Sequence, residues 1–238
     1  MNEILDQNHE GYTRELTRDF FKSVYAYMVL ALAVSGGIAY YVGSSQDIFS
    51  SYFRNADGSI SMFFYIVLFS PLVLSLIIQS AYRRLSLPML TLLYIAYSVL
   101  MGLMLSVVFL AYSPQAIAIT FFASAGAFGG MAVLGYTTQT DLTKFGSLLY
   151  MAFFGMFIAM IVNWFVGSGM LDFIISIAGV FIFTGLTAYW MQKLKNTAED
   201  SMLQGVERQK LALMGGMMLY ILFINLFLSL LRLIGGRD

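Results

Sequence analysis

Between Leu85 and Thr140 the chain reads LSLPMLTLLYIAYSVLMGLMLSVVFLAYSPQAIAITFFASAGAFGGMAVLGYTTQT, 56 residues without one Asp, Glu, Lys or Arg. As one helix rising ~1.5 Å per residue it would be roughly 84 Å long, whereas a bilayer core of ~30 Å is crossed by about 20 residues. The stretch must therefore fold back on itself. Ala111-Tyr-Ser-Pro114 is where it does so: Pro114 suits a first helical turn, and Tyr112 suits the headgroup level.

Working outward, Ser23–Gln46, Gly58–Tyr82, Phe145–Leu171, Phe173–Gln192 and Leu211–Leu231 are also free of charge, and each has the length of one span. The sequence thus predicts an all-α membrane protein with seven transmembrane helices. Strands of a membrane barrel would alternate apolar and polar residues; Ile174–Phe183 and Met217–Ile224 are apolar on nearly every side. Residues 1–20 hold Glu3, Asp6, Glu10, Arg14, Glu15, Arg18 and Asp19 and no apolar core, so a cleaved signal peptide is not expected. They read instead as a mobile cytoplasmic tail ahead of a transmembrane domain over 21–236.

Composition narrows the function. Charged residues make up 11% of the chain, against about 25% in a soluble domain. Thirteen Lys and Arg balance thirteen Asp and Glu, which leaves no basic surplus for nucleic acid. With no cysteine and a single histidine, His9, the chain offers no thiol nucleophile, no iron–sulfur ligands and no Ser–His triad. No GxSxG or GxGD pattern occurs either, so neither a catalytic residue, a metal site nor a cofactor is expected.

Ten of the thirteen basic residues fall on one side of the predicted bundle: Arg14, Arg18, Lys22, Arg83, Arg84, Lys144, Lys193, Lys195, Arg208 and Lys210. The positive-inside rule then puts the N-terminus in the cytoplasm and, with seven spans, the C-terminus outside. Arg54, Arg232 and Arg237 lie opposite, with Arg232 snorkelling outward. Asp47–Ser61 is the longest outer connection, and Ala198–Gln209 suits a short surface helix on the inner side. Arg83, Arg84 and Asp141 share that inner face and suit an exposed ion pair.

Inside the spans the polar inventory is short. Asn163 and Asn225 are the strong hydrogen-bonding groups, with Ser98, Ser106, Thr184 and Thr187 weaker, and all read first as interhelical glue. No carboxylate lies at mid-membrane depth, whereas proton relays and cation sites usually carry one. Pro71 predicts a kink and a free carbonyl at Val67. Gly126 and Gly130, like Gly155 with Ala159, Ser35-Gly36-Gly37 and Gly215-Gly216, read as surfaces for close internal packing.

Three stretches together resemble the Bax inhibitor-1 family of seven-span membrane proteins, including the transmembrane Bax inhibitor motif proteins and bacterial members of the YccA type. They are Phe21-Lys-Ser-Val-Tyr-Ala-Tyr-Met28, Gly135-Tyr-Thr-Thr-Gln-Thr-Asp-Leu-Thr-Lys-Phe-Gly146 leading to Asn163, and Leu219-Tyr-Ile-Leu-Phe-Ile-Asn-Leu-Phe227. The resemblance implies a last helix enclosed by the other six, membrane and ion homeostasis and, for some members, a pH-sensitive calcium leak. For YccA-type members it implies a partner, a membrane-bound ATP-dependent protease whose activity they modulate. The family's acidic pair stands where this chain has Trp190, in Ala188-Tyr189-Trp190, and Leu222, in Tyr220-Ile221-Leu222. Neither side chain titrates or offers an oxygen ligand. Trp190 and Leu222 therefore form an apolar plug or simply pack, and Asn163, Tyr189, Tyr220 and Asn225 are the residues left to line any polar cavity.

Overall fold

The computed structural model describes residues 2–55, 57–200 and 205–235, with side chains from Glu15 onward. The described residues form eight helices: α1 (Asn2–Gly43), α2 (Gln46–Phe53), α3 (Met62–Ala81), α4 (Leu87–Ala111), α5 (Pro114–Thr137), α6 (Thr143–Val166), α7 (Gly169–Glu199) and α8 (Gly205–Ile234). Seven of them, all but α2, are long and apolar enough to cross a membrane. The break in the 56-residue stretch falls between Ala111 and Pro114, as the sequence predicts. Of the seven, α8 is the most enclosed: 56% of its apolar window is buried, against 17–39% for the others.

The chain divides into two compact units, Phe20–Ser113 with Leu203–Met217, and Met1–Asp19 with Pro114–Met202 and Met218–Asp238. In the first, the Tyr94 hydroxyl of α4 donates to the Tyr27 carbonyl of α1 at 3.1 Å and the Tyr94 side chain is fully buried. α2 was not foreseen in the Asp47–Ser61 connection. It forms because Phe49 and Phe53 share one face and bury against Val42 and Val67. Ser61 then caps α3, accepting from the Phe64 amide at 3.4 Å and donating to the Tyr52 carbonyl at 3.1 Å.

α3 continues through Pro71. The carbonyl of Val67, which Pro71 has no N–H to meet, was expected to be free; instead the Ser70 hydroxyl donates to it at 3.1 Å. The expectation that the small residues pack internally is corrected at five glycines and holds at Gly216 and at Ser35, which Gly102 approaches closely. Gly126, Gly130, Gly155, Gly36 and Gly37 have open space where a Cβ would stand, so they do not mediate internal packing. Gly216 does, against Val24 and Tyr27.

In the second unit α7 packs against both α5 and α6. A Cβ on Gly135 would collide with the Ala188 carbonyl of α7, and one on Gly146 would stand 2.5 Å from the Tyr189 ring, so α7 reaches both neighbours only because these positions are bare. The surface helix expected at Ala198–Gln209 is not separate: α7 runs through Glu199 and α8 starts at Gly205, with 201–204 outside the described residues. α1 is helical from Asn2 and continuous with the first span. Thr17 is buried, and its hydroxyl donates to the Ala198 carbonyl at 3.5 Å. Arg237 lies outside the described residues.

Candidate functional site

Trp190 and Leu222, paired in the sequence argument, sit in different company. Trp190 is half-buried near the Lys193 end of α7, and its indole N–H donates to the Tyr150 hydroxyl of α6 at 2.7 Å. The Lys193 ammonium lies 4.5 Å from the centre of the Trp190 ring, within cation–π range. Tyr189 stands edge-on to both neighbours, 6.3 Å from Tyr150 and 6.2 Å from Trp190. The cluster fastens α6 to α7, with its polar edges met by Tyr150 and Lys193.

Leu222 is 3% exposed, in the half of α8 where Leu219, Tyr220, Phe223, Ile224, Leu226 and Phe227 are buried as well. Phe223 meets Phe121 and Phe128 of α5 edge-to-face at 5.5 and 5.7 Å, a preferred aromatic geometry. The polar side chains here are turned onto their own helices. The Asn225 amide nitrogen donates to the Ile221 carbonyl at 2.8 Å, and the Ser229 hydroxyl to the Asn225 carbonyl at 2.8 Å. Ser124 and Thr187 do the same in α5 and α7 at 2.7 Å each. These side chains are spent on i−4 carbonyls, while the buried Thr120 and Tyr220 hydroxyls are not, and the surroundings are otherwise aromatic and aliphatic.

Asn163, expected within a span, lies three residues from the end of α6 and organises the turn into α7. Its backbone carbonyl accepts from the Gly167 amide at 2.7 Å and its side-chain oxygen from the Ser168 amide at 2.9 Å. Gly167 has φ +65°, a left-handed conformation that glycine adopts freely and that ends the helix. Ser168 then caps α7 by accepting from Leu171 at 3.3 Å. Beyond the turn, Asp172 and Arg232 stand 4.0 Å apart and partly exposed, a pair of small energetic weight.

Two of the three predicted inner-face charges, Arg83 and Asp141, are hydrogen-bonded to a residue close by. The Arg83 guanidinium donates to the Tyr82 hydroxyl at 3.0 Å, which raises its pKa. Arg84 is exposed in the same connection. Asp141 accepts from the Thr143 amide at 2.9 Å, and the Thr143 hydroxyl and amide hold its carboxyl below the usual range. Beside it lies an open polar cavity of about 300 Å³ lined by Thr138, Gln139, Asp141, Gln192, Asn196 and Glu199, with Lys195 at its edge, whose ammonium is 5.2 Å from the Tyr136 ring. Gln192 fixes its wall twice, accepting from the Leu142 amide and donating to the Thr140 carbonyl, both at 2.8 Å. Among the described residues no group of three His, Cys, Asp or Glu is placed to hold a metal.

The sequence argument missed Tyr150, Lys193 and Gln192. Their partners lie 40 to 52 residues away or depend on ring placement, and nothing in the local pattern signals such pairings.

The arrangement, seven apolar helices of which the last is the most enclosed, agrees with the comparisons to known proteins. Residues 17–238 match the family model described as inhibitor of apoptosis-promoting Bax1. An inner membrane protein of Escherichia coli, YbhL, is 36% identical over 219 residues, 92% of each chain. A protein of Borreliella burgdorferi is 39% identical over 98% of this chain and 99% of its own. One from Caulobacter vibrioides is 40% identical over 92% and 89%. The seven-helix chain belongs to the Bax inhibitor-1 family of integral inner-membrane proteins.

Proposed function

We propose that this chain serves inner-membrane homeostasis through contacts with other membrane proteins and not as an acid-gated conduit for calcium. The observation that carries this reading is the burial of Leu222: its side chain is 3% exposed, in a stretch of α8 that holds no Asp, Glu, His, Lys or Arg between Lys210 and Arg232. A divalent cation needs oxygen ligands and a pH gate needs a titrating group, and neither stands at Leu222 or Trp190. Trp190 acts as a fixed brace between α6 and α7, because its indole N–H and its ring face are both engaged. The partner-based role implied by the family resemblance, modulation of a membrane-bound ATP-dependent protease, accords with a body that conducts nothing. In this reading the N-terminus and the basic connections around Arg83, Arg84 and Lys144 face the cytoplasm.

The experiment is calcium flux into vesicles carrying the purified protein, followed from about pH 5 to 8, where a coupled acid pair would titrate. Flux at the level of empty vesicles across that range supports the proposal. A steep rise with acid that survives Asp141→Asn and Asp172→Asn overturns it. The double variant Trp190→Asp with Leu222→Asp should gain pH dependence; two silent aspartates would mean that these positions do not correspond to the family's acidic pair.

A further inference from the structure

The turn between α6 and α7 differs from the other described connections in what it shows to its surroundings. Trp164, Phe165, Val166 and Met170 are 65%, 86%, 64% and 76% exposed, and between them stand only Gly167, Ser168 and Gly169. The connections after α2, α3 and α5 carry Asp57, Arg83 with Arg84, and Gln139 with Asp141, and the short one after α4 is Tyr112-Ser113, both half-buried. A tip this apolar is unusual for a loop in water.

The backbone of the turn points the same way. The amides of Gly167 and Ser168 are taken by Asn163, and those of Leu171 and Asp172 by the side chain and carbonyl of Ser168. A connection that meets four of its amides from within, leaving those of Gly169 and Met170 at the start of α7, needs less water than an open loop. Length supplies a third, independent argument. Phe165 lies 21 residues beyond Lys144 on α6, ~32 Å at ~1.5 Å per residue, while the hydrocarbon core is ~30 Å thick. With Lys144 at one headgroup layer, Phe165 comes only to the far edge of the hydrocarbon.

We infer that the α6–α7 turn rests in lipid, with Phe165 and Met170 against acyl chains and the Asn163–Ser168 hydrogen bonds standing in for water. The occupant is a bilayer because exposed apolar surface continues down both spans, through Phe154, Ile158 and Ile161 on α6 and Phe173, Ile177 and Phe181 on α7. It is broken on α7 by the partly exposed Asp172, whose charge Arg232 meets at 4.0 Å. The inference concerns depth in the membrane and stands apart from the question of conduction.

The chain has no cysteine, so one introduced thiol reports without background. Phe165→Cys and, separately, Met170→Cys would be labelled with an environment-sensitive fluorophore in full-length protein in phosphatidylethanolamine–phosphatidylglycerol vesicles. Asp57→Cys serves as the water-exposed reference. Quenching by lipids spin-labelled near the headgroup is compared with quenching by aqueous iodide. The lipid-to-iodide ratio at 165 and 170 should exceed that at 57 at least about fivefold, as for side chains held below the headgroups. Iodide quenching equal to that at Asp57→Cys would place the tip in water and overturn the inference. Protection from both quenchers would mean that protein, a second copy or another partner, covers the tip, and would overturn it equally.

Discussion

At its Thr143 end α6 meets a polar connection, an open cavity and a clamp reaching from α7; at its Val166 end it meets a two-residue turn and a bare aromatic tip. The two ends solve one problem, satisfying backbone groups where a helix stops, by opposite means. The first borrows Gln192 from 50 residues away, and Asp141 supplies the local acceptor for Thr143. The second uses only Asn163 and Ser168, its own flanks. A clamp from another helix fixes tertiary geometry, so its loss should loosen the α6–α7 contact. A self-contained turn fixes only itself.

That contrast can be broken most severely at Gly146, where Gly146→Leu drives a side chain into the Tyr189 ring. Overpacking of this kind typically costs about 1–3 kcal/mol, read as a lowered Tm in detergent. Gly126→Leu, on the open face of α5, should leave Tm unchanged, and equal losses at the two sites would contradict the assigned packing. Next in size, Gln192→Ala leaves the Leu142 amide and Thr140 carbonyl without their partner, about 1–2 kcal/mol. Faster hydrogen exchange confined to residues near 140–143 would mark the clamp, and its absence would count against it. Trp190→Phe keeps the ring and removes the indole donor to Tyr150; roughly 0.6–1.7 kcal/mol should be lost, as for interhelical hydrogen bonds in membranes. Asn163→Ala, at the self-contained turn, should cost about 1 kcal/mol or less, with no change in exchange near 140.

The polar end also carries the pH dependence. Asp141 has a lowered carboxyl pKa, so whatever order its bond to Thr143 lends is complete above the unfolded carboxylate range and is lost as pH falls through the folded value. Between pH 5 and 8 the protection of this connection, exchange corrected for its intrinsic chemical rate, should therefore stay constant. Asp141→Asn should change the profile only below about pH 4.

The elements legible from sequence were those set by composition over twenty residues: seven spans and the break before Pro114. α2 was hidden because eight residues carry too little pattern, and its two phenylalanines are explained only by the partners that cover them. The spacing of Gly126 and Gly130 revealed a smooth face but not its direction, which depends on where α7 and α8 take hold of α5. At the candidate site the apolar character of Trp190 and Leu222 could be read directly. The partners of Trp190, Tyr150 and Lys193, and the burial of Leu222 come from folding and leave no local trace.

The division of α8 has a consequence for how the molecule is made. Residues up to Met217 complete one unit and those from Met218 complete the other, yet all of them leave the ribosome after everything they pack against. Neither half of the bundle can reach its final packing while the chain is still being threaded into the bilayer. Six spans are made before the helix that contributes to both units, so each unit lacks part of its contacts until α8 has been threaded in.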